Sequence, residues 1–327
     1  MPTSLSGRDL LSIADLEADE IRAVLDLARA TKAGGTPGQP LAGRNLALVF
    51  QRPSNRTRVS FEVAVRRLGG HPIPIFSQEI QIGERESVAD VSRILDRYVD
   101  GIVARLISHR DLVRMAEWAQ GPVISAMTDV EHPCQVLADC LTVLEACGTL
   151  EGVRVAYVGD GNNVCTSWLY AAALLGVDLR VVCPPGYEPR QQVLDRAGTL
   201  RTHPARFRLT HDKAEALDGA QIIYTDVWTS MGQEAEQQRR REDFAHLQVN
   251  EQLVAMAPGA RVMHCLPAHR GEEITDAVID GPQSIVFDQA ENRMWVQLAL
   301  LALVFGHDGA PDARAPATAA HEASLTS

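Results

Sequence analysis

The sequence predicts an α/β protein of two domains, each a parallel sheet flanked by helices. Apolar runs of strand length alternate with amphipathic helical segments along most of the 327 residues. Strands separated by helices of this length are typical of parallel sheets covered on both faces. Hydrophobic residues make up 46% of the chain, which is enough to form two cores of ordinary size.

The first half begins with a helix over residues 15–33, whose apolar residues form one stripe and which two glycines end. Strands and helices then alternate. The predicted strands are NLALVF (45–50), HPIPIF (71–76), GIVARL (101–106) and PVISA (122–126), and the predicted helices cover 87–99, 110–119 and 132–148.

A second series of strands follows a glycine-bounded break near residue 148. Its predicted strands are VRVAYVG (153–159), DLRVVC (178–183), RFRLT (206–210), QIIYTDVW (221–228), RVMHCLP (261–267) and SIVFD (284–288). We therefore expect domains over 1–148 and 149–290, joined by interdomain helices. A helix of about 291–306 is expected to pack back on the first domain, and the Ala-, Pro- and Ser-rich residues 308–327 are expected to be disordered.

Composition excludes several classes of partner. The 42 acidic and 31 basic residues leave a net charge of -11, which argues against nucleic acid and anionic membranes. No apolar run approaches the roughly 20 residues that span a bilayer, and no secretory signal is visible. We expect a cytoplasmic protein whose six cysteines are mostly buried and reduced, since none form a C-x-x-C pair.

The segment FQRPSNRTRVSFE, residues 50–62, concentrates basic and hydroxyl side chains where a predicted strand meets a predicted helix. It contains Arg52, Ser54, Asn55, Arg56, Thr57 and Arg58. A solvated charged face is the ordinary interpretation of a charge run. However, guanidinium, hydroxyl and amide donors at a helix N-terminus are the groups that surround a phosphate or carboxylate. The segment therefore predicts a site for a small anion.

Other polar residues follow predicted strands, where open parallel sheets bind their ligands. They are Arg105, His132, Gln135, Asp226, Ser230, Met231 and Cys265. Each also has an ordinary role open to it, such as a surface arginine, a helix-start donor, a cap or a core thiol. We keep both interpretations for each residue.

The turn VGDGNNV resembles a dinucleotide fingerprint, but Val164 occupies the third glycine position and no acidic residue ends the next strand. The amides of Asn162 and Asn163 suit a small carboxylate or an amino acid, although the same residues also simply form turns. No His, Cys and Asp spacing resembles a zinc set, so we expect no metal and no cofactor. Direct transfer of an activated group between bound substrates is the remaining chemistry.

Six motifs together resemble one known family. SNRTRVSFE, HPCQVLAD, GDGNNV, DVWTSMG, HCLPAHRGEE and FDQAENR occur in the order found in the aspartate/ornithine carbamoyltransferase family, and in its ornithine branch. The resemblance covers residues 8–306. It implies an N-terminal domain for carbamoyl phosphate, a C-terminal domain for the amino acid, and the conversion of carbamoyl phosphate and L-ornithine to L-citrulline and phosphate.

The resemblance also implies roles for individual residues. The carbamoyl-phosphate residues would be Ser54, Asn55, Arg56, Thr57, Arg58, Gln81, Arg105, His132, Gln135, Cys265, Leu266 and Arg293. The ornithine residues would be Asn163, Asp226, Ser230 and Met231, and the catalytic residues Arg105, His132 and Cys265. Gln81 would reach a neighbouring subunit's site, which implies a homotrimer or a multiple of trimers.

The sequence departs from the usual family pattern at Asn55, where threonine is usual, and at Gln289, where an acidic residue is usual. The helix after the asparagine turn reads VCTSWLY, where AHS is more frequent. Two other functions stay open: a paralogous enzyme acting on lysine, putrescine or a specialised-metabolite precursor, and a non-catalytic binding relative. The motif DVWTSMG argues against putrescine as the acceptor, because putrescine has no α-carboxylate or α-amino group for an amino-acid site to recognise.

Overall fold

The computed structural model describes residues 5–83, 85–200, 207–230 and 233–306. The chain forms two compact units. The first comprises the chain up to Leu137 and from Arg293 onward, and the second comprises Ala138–Asn292. Each unit is built on one parallel sheet with helices between its strands, so the predicted fold class is confirmed.

The first unit contains a four-stranded sheet in the order β2-β1-β3-β4. Its strands are β1 (Asn45–Phe50), β2 (His71–Phe76), β3 (Gly101–Arg105) and β4 (Val123–Met127). Its helices are α1 (Ala18–Lys32), α2 (Asn55–Arg67), α3 (Ser77–Ile80), α4 (Val88–Leu95) and α5 (His109–Trp118). All four predicted strands are confirmed, and only the short α3 lacks a counterpart among the predicted helices.

The register of this sheet aligns three strand ends. Phe50 pairs with Arg105, and Arg105 pairs with Met127 across a β-bulge. The segments that follow β1, β3 and β4 therefore leave the same edge of the sheet. This edge carries the arginine-rich segment, Arg105 and the loop that precedes His132.

The second unit contains a five-stranded sheet in the order β7-β6-β5-β8-β9. Its strands are β5 (Arg154–Val158), β6 (Asp178–Val182), β7 (Phe207–Thr210), β8 (Ile222–Thr225) and β9 (Arg261–His264). Its helices are α7 (Asn163–Leu175), α8 (Gln191–Thr199), α9 (Lys213–Leu217), α10 (Gln237–Phe244), α11 (Glu251–Val254) and α12 (Asp276–Ile279). Val158, Thr225 and His264 lie side by side at the carboxyl ends of the three adjacent strands.

Two long helices, α6 (Pro133–Cys147) and α13 (Val286–Phe305), contain the points at which the chain passes from one unit to the other. They are the interdomain helices that the fold class includes. The end of α13 belongs to the first unit, where the Arg44 guanidinium donates to the Phe305 carbonyl at 3.3 Å. Of the helices in the described parts of the chain, none has the length and apolarity needed to cross a bilayer.

One predicted strand is wrong. SIVFD was expected to be a strand, but Ser284 forms only an isolated bridge to Val262, and α13 begins at Val286. The buried residues Val286, Gln289 and Asn292 recur every three positions, while Phe287 is 64% exposed. This is the spacing of a helix face, which a five-residue window of apolar residues does not reveal. The predicted disordered tail, 308–327, lies outside the described residues.

Candidate functional site

The arginine-rich segment begins α2 in an anion-binding geometry. Ser54 is the N-cap with extended backbone, and its oxygen accepts a hydrogen bond from Thr57 N at 3.4 Å. The Ser54 hydroxyl also donates to Thr57 Oγ1 at 2.9 Å. The first turn of a 13-residue helix therefore presents backbone N–H groups and the positive end of its dipole.

The three basic residues of the segment have different surroundings. Arg58 Nη1 pairs with Glu62 Oε1 at 2.8 Å along α2, and Arg52 is exposed. The Nε of Arg56 is buried and has no hydrogen-bond partner among the described residues. Arg56 is therefore the guanidinium of the segment whose geometry best suits an anion. Asn55 is exposed, and its Oδ1 accepts from Arg56 N at 2.7 Å, which occupies one N–H of the helix start.

Two further arginines lie in the same unit and are almost fully buried. Arg105 ends β3 and is 9% exposed, and Arg293 on α13 is 4% exposed. Arg293 Nη2 donates to Thr57 Oγ1 at 3.0 Å, which joins α13 to the start of α2. Burial of two guanidinium groups in an acidic protein is costly unless an anion or hydrogen-bond acceptors face them.

His132 lies beside these arginines at the start of α6 and is 5% exposed. Its pKa lies well below the usual range, first because burial disfavours the charged ring and then because Arg293 and Arg105 repel a second positive charge. His132 is therefore neutral at physiological pH and can donate one N–H. Gln135, one turn along, is 1% exposed, and its backbone N–H donates to the His132 carbonyl at 3.1 Å.

Glu131 is a residue of this region that the sequence did not single out. Its carboxylate accepts a hydrogen bond from the Ser12 hydroxyl and a second from Ile13 N at 3.1 Å. Glu131 N donates to Thr128 Oγ1 at 3.3 Å. These bonds hold the turn before His132 in place. The partners lie 118 and 119 residues apart in sequence, so no local pattern could reveal them.

Gln81 ends α3 and is exposed, with a left-handed φ of 39°. A left-handed conformation is uncommon for a residue with a side chain. Its predicted role concerns a neighbouring subunit and stays a prediction.

In the second unit, Asp226 is the centre of a hydrogen-bonded group. It is 6% exposed at the end of β8. Its Oδ2 accepts from Asn162 Nδ2 at 2.7 Å, and its Oδ1 accepts from Cys265 Sγ at 2.8 Å and from Val227 N at 2.8 Å.

Asn162, the residue before the predicted Asn163, donates to Asp226 and caps α7. Its Oδ1 caps α7 by accepting from Val164 N at 3.0 Å and Cys165 N at 3.1 Å, and it also accepts from the Tyr157 hydroxyl at 2.9 Å. Asn163 is the first residue of α7 and is partly exposed. The preference of asparagine for the N-cap position explains the place of Asn162 at the start of this helix.

The turn in front of Asn162 requires glycine. A Cβ on Gly161 would lie 2.3 Å from Pro189 N, so a side chain there would displace the neighbouring backbone. Gly161 therefore serves close packing of this turn.

Cys265 and Leu266 follow β9. Cys265 is 9% exposed, and Leu266 has a left-handed φ of 57°, which turns its backbone away from the strand direction. Leu266 N donates to His264 Nδ1 at 2.9 Å, and His264 Nε2 donates to Glu273 Oε1 at 3.0 Å. A conformation that costs about 1–2 kcal/mol is thus held by a buried chain of hydrogen bonds.

Arg240 supports the loop after Asp226. It is 6% exposed, and its Nη1 donates to Asp160 Oδ2 at 3.1 Å and to the Trp228 carbonyl at 2.9 Å. Burial raises the pKa of Asp160 to about 6 despite the opposing effect of Arg240, and Asp226 adds to the increase. Ser230, farther along the loop, has its backbone N–H bonded to Gln233 Oε1 at 3.0 Å. The predicted Met231 lies outside the described residues.

Asp226, His264 and Cys265 have ligand atoms within 4.8 Å of one another, which is a possible metal spacing. Their polar atoms are already used, however. The Cys265 thiol donates to Asp226, and both ring nitrogens of His264 are engaged by Leu266 N and Glu273. The arrangement is thus a hydrogen-bonded polar centre that suits a cationic or amide ligand group.

Comparison with known proteins identifies relatives of both units. The model of the aspartate/ornithine carbamoyltransferase carbamoyl-P binding domain matches residues 8–145, and that of the Asp/Orn binding domain matches residues 151–304. The chain is similar to the protein named "Ornithine carbamoyltransferase, anabolic" of Pyrococcus furiosus, with 50% identity over 94% of this chain and 99% of that protein. It is 48% identical to the ornithine carbamoyltransferase of Methanobrevibacter smithii over 90% of this chain and 98% of that protein.

Solved structures of ornithine carbamoyltransferases superpose on this chain. The ornithine carbamoyltransferase of Pyrococcus furiosus superposes with a TM-score of 0.90 at 49% identity, covering 94% of this chain and 100% of that chain. The Thermus thermophilus enzyme superposes with a TM-score of 0.82 at 44% identity, covering 90% of this chain and 97% of that chain.

Proposed function

Because the chain belongs to the aspartate/ornithine carbamoyltransferase family, we propose that it transfers the carbamoyl group of carbamoyl phosphate to L-ornithine, giving L-citrulline and phosphate. The direction is that of arginine biosynthesis, in keeping with the anabolic enzyme to which it is similar. The cytoplasm stays its predicted location.

The first unit binds carbamoyl phosphate. The start of α2, with Ser54, Thr57 and the Arg56 guanidinium, holds the phosphate. Arg105 and His132 donate to the carbamoyl oxygen, which becomes negative as the amine attacks. His132 suits this role because its lowered pKa keeps the ring neutral while one N–H remains. Arg293, bonded to Thr57, adds positive charge beside the same ligand.

The second unit binds the amino acid. The α-ammonium of ornithine pairs with Asp226, while Asn163 and Ser230 serve its α-carboxylate together with Met231. Cys265 and the Leu266 carbonyl accept hydrogen bonds from the side-chain amine. This amine reacts only as the neutral form, since an ammonium has no lone pair, and desolvation makes that form more accessible.

The reaction needs no redox partner. The lone pair of the neutral amine forms the new C–N bond to the carbamoyl carbon, and the C–O bond to phosphate then breaks. Phosphate leaves with that electron pair, and the nitrogen loses a proton. Arg56 and Arg105 stabilise the charge that develops on the departing phosphate.

The observation that carries the choice of ornithine is the buried Asp226 carboxylate with its Asn162 and Cys265 partners. A second carboxylate, as in aspartate, would be repelled by this centre, whereas an α-ammonium is attracted. The test is a colorimetric ureido assay of the purified protein with ornithine, lysine, putrescine and aspartate at equal concentration. Ornithine should be the fastest acceptor, and faster turnover of another amine would contradict the assignment.

Two alternatives are weaker. A paralogue for lysine or a specialised-metabolite precursor would require a longer or differently shaped acceptor site, and putrescine cannot use Asp226 as an α-ammonium partner. A non-catalytic relative would have no reason to keep Arg56, Arg105, His132, Asp226 and Cys265 together. The ureido assay separates all of these.

We also propose a homotrimer or a multiple of trimers in which Gln81 of one subunit completes the carbamoyl-phosphate site of the next. Gln81 is exposed, with a backbone in the left-handed region. Exposed apolar side chains lie nearby in sequence on the edge strand β2, where Ile73 is 36% and Phe76 is 40% exposed. Such apolar exposure on an edge strand suits a subunit interface.

A further inference from the structure

The turn after β9 brings three possible metal ligands together in the second unit. His269, Glu272 and Glu273 each offer one ligand atom, and these atoms lie within 4.8 Å of one another. His269 Nδ1 is 4.0 Å from Glu272 Oε2. Gly271 has a φ of +88° in this turn, and Glu272 N donates to the His269 carbonyl at 2.8 Å. Metal–ligand distances in zinc sites are about 2.0–2.2 Å, so a bound ion would draw the three ligand atoms closer together.

The burial and hydrogen bonding of Glu273 also indicate a bound cation. It is 0% exposed, and its Oε1 accepts from His264 Nε2 at 3.0 Å and from His269 N at 2.6 Å. Its Oε2 is buried and has no hydrogen-bond partner among the described residues. A buried carboxylate oxygen without a donor is destabilising, and a bound cation would satisfy it.

Glu272 is oriented for the same role. Its Oε1 pairs with Arg241 Nη2, so that Oε2 is the oxygen nearer His269. The set therefore combines one imidazole nitrogen with two carboxylate oxygens. Such ligands suit divalent first-row transition metals such as zinc and cobalt, and three protein ligands leave at least one position open to water.

We propose that His269, Glu272 and Glu273 bind a divalent transition-metal ion. The proposal goes beyond the transfer of a carbamoyl group and does not depend on it. It also departs from the sequence-based expectation of no metal, because the ligands are close only through the glycine turn and the burial of Glu273. Through Glu273 and His264, the ion would add to the hydrogen bonds that hold the Leu266 turn.

The test is cobalt binding by the full-length protein without substrates. The Cys265→Ser variant is the background, because it removes the Cys265 sulfur from the cluster of Asp226, His264 and Cys265. Equilibrium dialysis and visible spectroscopy should show one Co²⁺ per chain without thiolate charge-transfer absorption. His269→Ala and Glu272→Gln in this background should each weaken binding at least about tenfold.

His246→Ala in the same background is the matched control, since His246 is another exposed histidine of the second unit. It should leave cobalt affinity unchanged. Equal affinity in the His269→Ala variant, or loss of all cobalt binding with Cys265→Ser alone, would overturn the proposal. Because no substrate is present, neither result bears on carbamoyl transfer.

Discussion

At the scale of single residues, Arg105 is the guanidinium that we propose acts most directly in catalysis. It is 9% exposed at the end of β3 and lies close enough to His132 to depress that ring's pKa. Arg105→Ala should lower kcat/KM at least about 100-fold, equivalent to about 2.7 kcal/mol of barrier. Arg105→Lys should also be poor, because one ammonium cannot reproduce the planar fork.

Steady-state kinetics with both substrates checks this prediction. Arg110→Ala, which removes an exposed arginine of the same unit, is the control and should retain normal turnover. A folded Arg105→Ala variant with near-normal kcat/KM would remove Arg105 from the mechanism.

Asp160 links stability to pH. Its pKa is about 6 in the folded protein against 3.8 without burial. Between these values the folded state holds a proton that the unfolded chain has lost, so this group's contribution to stability falls as pH rises through that window. Asp160→Asn should therefore match the wild type near pH 4 and be more stable at pH 7, by up to about 3 kcal/mol.

Thermal unfolding from pH 4 to 7 measures this difference, with the exposed Asp195→Asn as control. The same Asp160→Asn variant should have a raised KM for ornithine, since Arg240 loses one of its two carboxylate partners, Glu236 being the other, and holds the Trp228 loop less firmly. A pH-independent stability difference would show that Asp160 does not titrate as described.

At the scale of elements, we expect the start of α2 to determine the affinity for carbamoyl phosphate. The Asn55 side chain occupies Arg56 N, one of the N–H groups that a phosphate could use. Asn55→Thr should free this donor and lower the KM for carbamoyl phosphate by up to about tenfold, or about 1.4 kcal/mol. The KM for ornithine should not change.

Asn55→Ala distinguishes the effect of the freed Arg56 N–H from the effect of the added threonine hydroxyl, because alanine also frees Arg56 N but offers no hydroxyl. Improvement in both variants would identify the freed N–H as the cause. Loss of activity in Asn55→Thr would instead indicate that the amide belongs to a specialised donor site.

At the scale of the whole molecule, the predicted trimer can be tested by mixing the Gln81→Ala and Arg105→Ala variants, each of which is expected to be inactive alone. If Gln81 acts in a neighbouring subunit's site, each site combines Arg105 of one chain with Gln81 of its neighbour. A Gln81→Ala chain beside an Arg105→Ala chain therefore forms one intact site, because the first chain supplies Arg105 and the second supplies Gln81. Random mixing in a closed ring should restore roughly a quarter of the sites. Activity assayed after joint unfolding and refolding checks this.

Each variant refolded alone is the control for this experiment. If Gln81 acts within its own chain, every site in the mixture carries one defect and activity stays at the level of the separate variants. Sedimentation velocity of the wild type measures the subunit number directly.

The sequence by itself determined the two parallel sheets and the strand ends that carry the polar residues, because short-range periodicity and turn residues encode both. Only the tertiary structure decided which of those residues act together. It joins Arg293 to Thr57 and Asn162 to Asp226. It also makes SIVFD the start of α13. These outcomes depend on contacts between residues far apart in sequence or on burial of one helix face, which a local window does not contain.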